Sequence, residues 1–234
     1  HQGFLEASPP YYRVHAVFRR FLQTLWQPGS ARTAILRHSA SLLEGDGQWL
    51  EAAQLWAALG DAHAHADLVQ RLAPRLLAQG QGQGVVQMIR AREPDAAARD
   101  GGPAHARVLF WLAQALSETD AAQAGAVARE ALQHCTLGAD AVGAFLATGT
   151  LLTLLRTQRT ELPDALALAQ RCERDYLCLR DGLAPELQPY AAGAYIAALS
   201  TQHHGAAIDS GVLVALLDAL QADTNPQMRL RWLT

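Results

Sequence analysis

Hydrophobic residues recur along the chain at spacings of three and four, with short interruptions, from about residue 14 to the end. Such spacing places apolar side chains on one face of an α-helix. The first segment of this kind runs from residue 14 to residue 26 and ends at Pro28 and Gly29. The same pattern predicts about eleven further short helices, joined by loops of a few residues. They are expected at 30–44, 49–57, 62–78, 85–91, 108–116, 124–132, 142–160, 163–180, 187–198, 212–220 and from 226 onwards. Gly60 is expected to end the helix at 49–57, and Asp61 to cap the helix that follows.

Two amphipathic helices occur in roughly every 30 to 40 residues, which is the rhythm of stacked helical hairpins. The sequence therefore predicts an all-α fold, a superhelical array of antiparallel hairpins of the tetratricopeptide (TPR-like) kind, or α-solenoid. No strict 34-residue consensus recurs, so the predicted repeats are degenerate. Residues 4–6 and 11–14 are β-prone stretches on either side of Pro9 and Pro10, and they predict a short β-hairpin before the first helix.

The composition supports the helical prediction. Of the 234 residues 50% are hydrophobic and only 6% aromatic, alanine makes up about a fifth of the chain, and lysine is absent. Alanine and leucine lead the helix-propensity scale, whereas the residues that favour strands are scarce here. A β-sandwich, a β-barrel, an α/β enzyme with parallel strands and a disordered chain are all disfavoured.

Charge and cysteine content narrow the setting. The formal net charge is −3, so no cationic surplus is present for duplex binding, and we expect no direct nucleic-acid contact. Three cysteines fit a reducing compartment better than a disulfide framework, which predicts a cytoplasmic location. The uncharged stretch 187–208 contains Gln, Pro and His, and no signal pattern begins the chain, so no membrane association is expected. Because the chain starts with His1 and stops at Thr234 without a polar tail, we expect it to be part of a longer protein, truncated at the C-terminus.

Motifs for chemistry are weak. The string from Gly80 to Gly84 superficially resembles a phosphate-binding loop, but a predicted helix precedes it and the glycine spacing differs from G-x-G-x-x-G, so we predict a flexible turn. Without lysine no G-x-x-x-x-G-K-[ST] loop can exist here. His63 with His65, and Cys172 with Cys178, point to different helix faces, while His203 and His204 have no metal-ligand partner at a suitable spacing. We therefore predict no metal site, no catalytic residue and no enzyme activity within the chain.

Aromatic residues carry the one ligand hypothesis that the residues themselves suggest. Most of them, including Trp49, Trp56 and Tyr190, fall on predicted buried stripes and are interpreted as core. Arg107 lies one turn before Trp111, and a Trp with a nearby Arg on the concave face of a helical solenoid can stack on a ligand. Arg107 and Trp111 are accordingly the candidate ligand-binding pair.

Residues 12–22, YRVHAVFRRFL, resemble the Y-R-[YV]-H-x-L-F-x-x-F-L segment of MalT-like signal-transduction ATPases, bacterial regulators of the STAND class. The continuation GQWLEAA at 47–53 with ALGD at 58–61 is similar to the first helical hairpin of that family, and LLAQG at 76–80 and residues 104–116 fall where the next helices occur. The similarity covers the chain to about residue 135. Val17 stands where the family usually has Leu.

The resemblance implies a division into two domains, with residues 1–28 ending a winged-helix domain and residues 29–234 forming a degenerate TPR-like repeat domain. It also implies a P-loop ATPase module upstream that uses ATP and ADP, although no cofactor is expected within these residues, and a DNA-binding domain, often of the LuxR type, elsewhere in the parent. His15 occupies the winged-helix histidine position that in this class approaches the nucleotide phosphates. In the alternative interpretation His15 only caps or packs the first helix.

The function implied by this resemblance is that of a sensor and interaction domain in a bacterial ATP-dependent transcriptional regulator. Such repeats bind a small-molecule inducer or a regulatory protein and couple it to nucleotide-dependent activation and self-association of the parent. Two alternatives remain open from the sequence: a helical-repeat protein–protein interaction scaffold unrelated to transcription, and an all-α enzyme whose site leaves no sequence signature.

Overall fold

The computed structural model describes residues 5–8, 11–14, 30–92, 103–158 and 165–202. Strands β1 (Leu5–Ser8) and β2 (Tyr11–Val14) pair in antiparallel fashion, with Leu5 opposite Val14 and Ser8 opposite Tyr11. The β-hairpin expected from the sequence is therefore confirmed. The helix predicted at 14–26, and those predicted at 212–220 and from 226, extend over residues outside the described part of the chain.

The described residues otherwise form α-helices, which confirms the all-α prediction for them. Two 3₁₀ turns, Arg180–Gly182 and Pro185–Leu187, connect the last two helices. The helices are α1 (Ser30–Gly45), α2 (Trp49–Ala58), α3 (Ala62–Ala78), α4 (Gly82–Arg90), α5 (Pro103–Leu116), α6 (Ala121–Leu137), α7 (Ala141–Gln158), α8 (Ala165–Leu179) and α9 (Gln188–Gln202). Within the described residues no helix combines the length and apolar character that crossing a membrane requires.

Helices that alternate along the chain form a continuous row. Each of α3, α5 and α7 packs against the next helix and also against the next but one, so that α3, α5, α7 and α9 follow one another in contact. The most extensive contacts join helices that are near neighbours in sequence, which is the pattern of stacked helical hairpins. The superhelical path of a full solenoid and the domain division at residue 28 stay predictions.

Small residues join α5, α6 and α7 in three buried layers, which we call the alanine seam. From the first layer to the third, the residue numbers increase in α5 and α7 and decrease in α6. Helix α6 is therefore antiparallel to α5 and α7, which are parallel to each other. Alanine is abundant in the seam because small side chains let helix backbones approach closely. The layers are Ala106–Cys135–Ala144, Leu109–Ala131–Ala147 and Ala113–Ala128–Leu151.

Four of the described turns share one construction, in which a residue in the left-handed region (Gly47, Gly60, Gly80 or Ala139) is followed by a polar residue that begins the next helix. Gly60 has a φ of 68°, and the Asp61 carboxylate accepts a hydrogen bond from the Ala64 amide at 3.1 Å. Glycine adopts such a φ without the Cβ clash that other residues meet, and aspartate is among the best N-caps. The expected sequence signal at Gly60 and Asp61 is confirmed.

The glycine-rich string from Gly80 to Gly84 is only partly a turn, because α4 begins within it at Gly82. A Cβ on Gly82 would lie 3.2 Å from the Ala115 carbonyl oxygen, and one on Gly84 would lie 3.3 Å from Cη2 of Trp49. Glycine at these positions thus allows α4 to pack closely on α5 and α2. The predicted flexible turn is therefore wrong for residues 82–84, whose glycines serve helix packing.

Candidate functional site

Arg107 and Trp111 both lie on α5, but the structure gives them different surroundings. Trp111 is 2% exposed, and its ring meets Phe110 at a centroid distance of 4.7 Å and Tyr190 at 5.1 Å. Little of the indole face is therefore available for a ligand to stack on. The ligand-binding role of the pair stays a prediction, and these contacts give Trp111 a role in the core.

The Arg107 guanidinium is held by Asp140, the residue that precedes α7. Two hydrogen bonds of 2.8 and 3.1 Å join them. Burial acts to raise the pKa of the Asp140 carboxyl, but the Arg107 hydrogen bonds and the Gly143 and Val142 amides outweigh it and hold the pKa below its ordinary value. The hydrogen bond with Asp140 also raises the pKa of Arg107. Both groups are thus charged near neutral pH, and Arg107 acts as a clamp between α5 and α7.

A cleft of about 680 Å³ opens between α3 and the segment that leads into α9. One wall is α3, and the facing wall consists of the 3₁₀ turn Pro185–Leu187 and the first residues of α9. The cleft is lined by Asp67, Gln70, Arg71, Pro74, Arg75, Ala78, Pro185, Glu186, Pro189 and Tyr190. Tyr190 also packs on Trp111, so the Tyr190 ring separates Trp111, the predicted ligand-binding residue, from this cleft.

A network of fixed charges supports the α3 wall. Glu44 at the end of α1 accepts hydrogen bonds from Trp56 Nε1 at 2.6 Å and from Arg71 Nη2 at 2.8 Å. Arg71 Nε donates a further bond to Asp67 at 3.0 Å. The hydrogen bond with Glu44 is the main cause that raises the pKa of Arg71. The guanidinium of Arg71 is therefore held between two carboxylates.

Two cleft residues keep their charges available. Arg75 is exposed and lies one turn beyond Arg71 on the same face of α3. Within the described residues neither Arg75 nor Glu186 on the opposite wall takes part in an ion pair. The cleft thus offers one cationic and one anionic group across a polar and proline-lined gap.

The other residues weighed in the sequence separate as predicted. His63 is exposed whereas His65, 3% exposed, donates from Nε2 to the Met88 carbonyl oxygen at 3.0 Å. Cys178 is exposed and Cys172 is buried, and burial raises the pKa of Cys172 to about 12. Neither pair can share a ligand. His15, His203 and His204 lie outside the described residues.

The cleft could not be predicted from the sequence, because its walls come from segments more than 100 positions apart in the chain. The local signal was present, since Asp67, Arg71 and Arg75 repeat at four-residue spacing and so share one face of α3. The spacing could not predict the facing wall, because the position of that wall depends on how the later helices pack.

Comparisons with family models, with curated proteins and with solved structures find no match for this chain.

Proposed function

We propose that this chain is a binding module that takes a small organic molecule carrying an acidic group into the cleft between α3 and α9. The observation that carries the proposal is the cleft itself, whose volume of about 680 Å³ lies within the range of roughly 300–1,000 Å³ typical of small-molecule sites. Arg75 supplies the charge that would pair with the acidic group of the ligand. Pro185 and Pro189 supply apolar surface for its remaining part.

The position of the cleft suits a sensor. Its two walls are far apart in sequence and are connected through α5 and α7. A ligand that contacts both walls favours conformations in which they stand at the right separation, and it thereby biases the packing of the whole row. Binding energy in the cleft would in this way be coupled to distant parts of the protein.

The resemblance of residues 12–22 and 47–61 to MalT-like regulators supports a wider proposal. In it, the chain is the cytoplasmic sensor domain of an ATP-dependent transcriptional regulator, the ligand is its inducer, and His15 contacts the nucleotide of the parent protein. A G-x-x-x-x-G-K-[ST] motif within about 400 residues upstream of His1 in the parent sequence would support the wider proposal, and its absence would remove it.

The cleft proposal is tested by thermal-shift screening of the chain against organic acids, phosphosugars, nucleotides and neutral sugars. A compound at about one hundred times its Kd stabilises the folded state by about 2.7 kcal/mol, which a melting curve detects readily. Each compound that raises the melting temperature is then titrated by calorimetry into the wild type and into Arg75→Glu. We expect Arg75→Glu to weaken binding at least about tenfold, because an attractive charge becomes a repulsive one.

The matched control is Arg32→Glu, which makes the same change at an exposed arginine of α1 that does not line the cleft. It should leave the affinity unchanged. If no acidic compound raises the melting temperature, or if Arg32→Glu weakens binding as much as Arg75→Glu, the cleft is not the site.

A further inference from the structure

Three side chains of metal-ligand type meet on the α5–α6 pair, away from the residues that line the cleft. They are His105, Glu130 and His134, and one ligand atom from each lies within 4.8 Å of the other two. Nε2 of His134 is 4.0 Å from Oε1 of Glu130. The rings of His105 and His134 meet edge to face, with their centroids 5.5 Å apart.

All three residues lie in packed helices, which fix the positions of their backbone atoms. Glu130 and His134 are four residues apart on α6, which puts them on the same face of the helix. His105 comes from the beginning of α5. Each histidine is followed directly by a fully buried member of the first layer of the alanine seam, Ala106 and Cys135. The packing of that layer therefore fixes the separation of the two histidines.

Two imidazoles and one carboxylate suit a divalent transition-metal ion such as Zn²⁺, whereas Mg²⁺ and Ca²⁺ prefer sites made of oxygen alone. Zinc bonds of about 2.1 Å place tetrahedral ligands about 3.4 Å apart. Because the ligand atoms lie within 4.8 Å of one another, their distances must close by up to roughly 1.4 Å around an ion. The side chains of Glu130 and His134, which are 53% and 27% exposed, have room to make this adjustment.

We propose that His105, Glu130 and His134 form a binding site for Zn²⁺ or a similar divalent transition-metal ion, which links α5 to α6. Three protein ligands leave a fourth tetrahedral position for water or for a group from a bound molecule. The site does not depend on the cleft, so either proposal can fail without the other. Spacing between close neighbours in sequence does not predict this site, because His105 lies on a different helix from Glu130 and His134. The four-residue spacing of Glu130 and His134 was the available signal, although the helix predicted at 124–132 ended before His134.

Calorimetric titration of ZnCl₂ into the whole chain tests the site, with the variants His105→Asn, Glu130→Gln and His134→Gln. We expect the wild type to bind one zinc ion that each variant binds at least about tenfold more weakly, since even residues that only support metal ligands change affinity by 10–100-fold. The first control is His38→Gln on α1, an exposed histidine outside the cluster. The second is the double variant His203→Gln, His204→Gln, which removes two other imidazoles. Both should keep the wild-type affinity for this ion.

Thermal melts without and with ZnCl₂ separate a loss of binding from a loss of fold. Wild type and controls should melt at a higher temperature with zinc, because the ion binds the folded arrangement. The three cluster variants should melt as the wild type does without zinc and gain nothing from it. Zinc binding of wild-type strength in all three variants would overturn the proposal, as would a loss confined to one of them. Glu130→Gln alters an exposed side chain, so it reports on the site even if a histidine variant folds poorly.

Discussion

Arg107 and Asp140 are joined by two hydrogen bonds across 33 positions of the chain. The Asp140 side chain is only 7% exposed, whereas that of Arg107 is 41% exposed. The same carboxylate accepts a hydrogen bond from the Gly143 amide at 3.1 Å and so caps α7. One aspartate thus holds the start of α5 and the start of α7 together at the turn that follows α6.

Replacing this aspartate should be costly for stability. We expect Asp140→Ala to lower the free energy of unfolding by about 2 kcal/mol, because it removes both a helix cap and a charge-assisted pair. Urea denaturation near neutral pH measures the change. The control is Arg171→Ala, which removes an exposed pair with Asp175 at 3.5 Å and should cost no more than about 0.5 kcal/mol. Similar small losses in both variants would show that the clamp contributes little.

His65 makes stability depend on pH. Burial lowers its pKa below 6.5, the nearby charge of Arg92 lowers it further, and the hydrogen bond to Met88 only partly opposes them. As the pH falls below 6.5, His65 therefore becomes protonated more readily in the unfolded chain than in the folded chain. Its contribution to stability is fully present above that pH and is lost as the pH falls.

Denaturation at about pH 7.5 and about pH 5.5 tests this linkage. We expect His65 to account for at most about 1.4 kcal/mol of the stability lost between these values. His65→Gln should remove that part of the pH dependence. His63→Gln, two positions away and exposed, should keep it in full. An unchanged pH dependence in His65→Gln would assign the loss to other groups.

Gly149 on α7 marks a close approach of two helices. A Cβ at this position would lie 2.7 Å from Cα of Ala194 on α9 and would also clash with the Ala194 Cβ. We expect Gly149→Ala to lower the unfolding free energy by about 1–3 kcal/mol, as overpacked cores do. Gly125→Ala on α6, where nothing lies within 4 Å, should instead raise it by about 0.5–1 kcal/mol. Thermal melts of each variant beside the wild type show whether the added methyl group lowers or raises stability at that position.

Helices and turns could be predicted from the sequence because their signals are local. The helix expected at 62–78 has those bounds in the structure, and the turn at Gly60 and Asp61 forms as expected. The start of α4 could not be found in the same way, because glycine disfavours helices in general. Gly82 and Gly84 lie in a helix here, and a Cβ at either position would make a tight contact of 3.2–3.3 Å with α5 or α2.

The candidate sites were harder to anticipate for a related reason. Arg107 and Trp111 share a helix face in sequence, but the choice between a ligand and the core for Trp111 depends on Tyr190, almost 80 residues further along. The cleft and the His105, Glu130 and His134 cluster likewise join segments whose proximity follows from the packing of helices. Spacing within one helix shows which side chains share a face, but not what lies opposite that face.

The alanine seam has a consequence for how this protein tolerates substitution. Six of its nine members are alanines, whose side chain is among the smallest available, so nearly every replacement of these adds volume between α5, α6 and α7. Elsewhere in the core, at Leu68 or Phe145, nearly every replacement removes volume. Random mutation should therefore cause steric crowding in the seam and cavities elsewhere in the core. Only the cavities can be filled by a small apolar molecule, so only that kind of damage can be relieved by ligand binding.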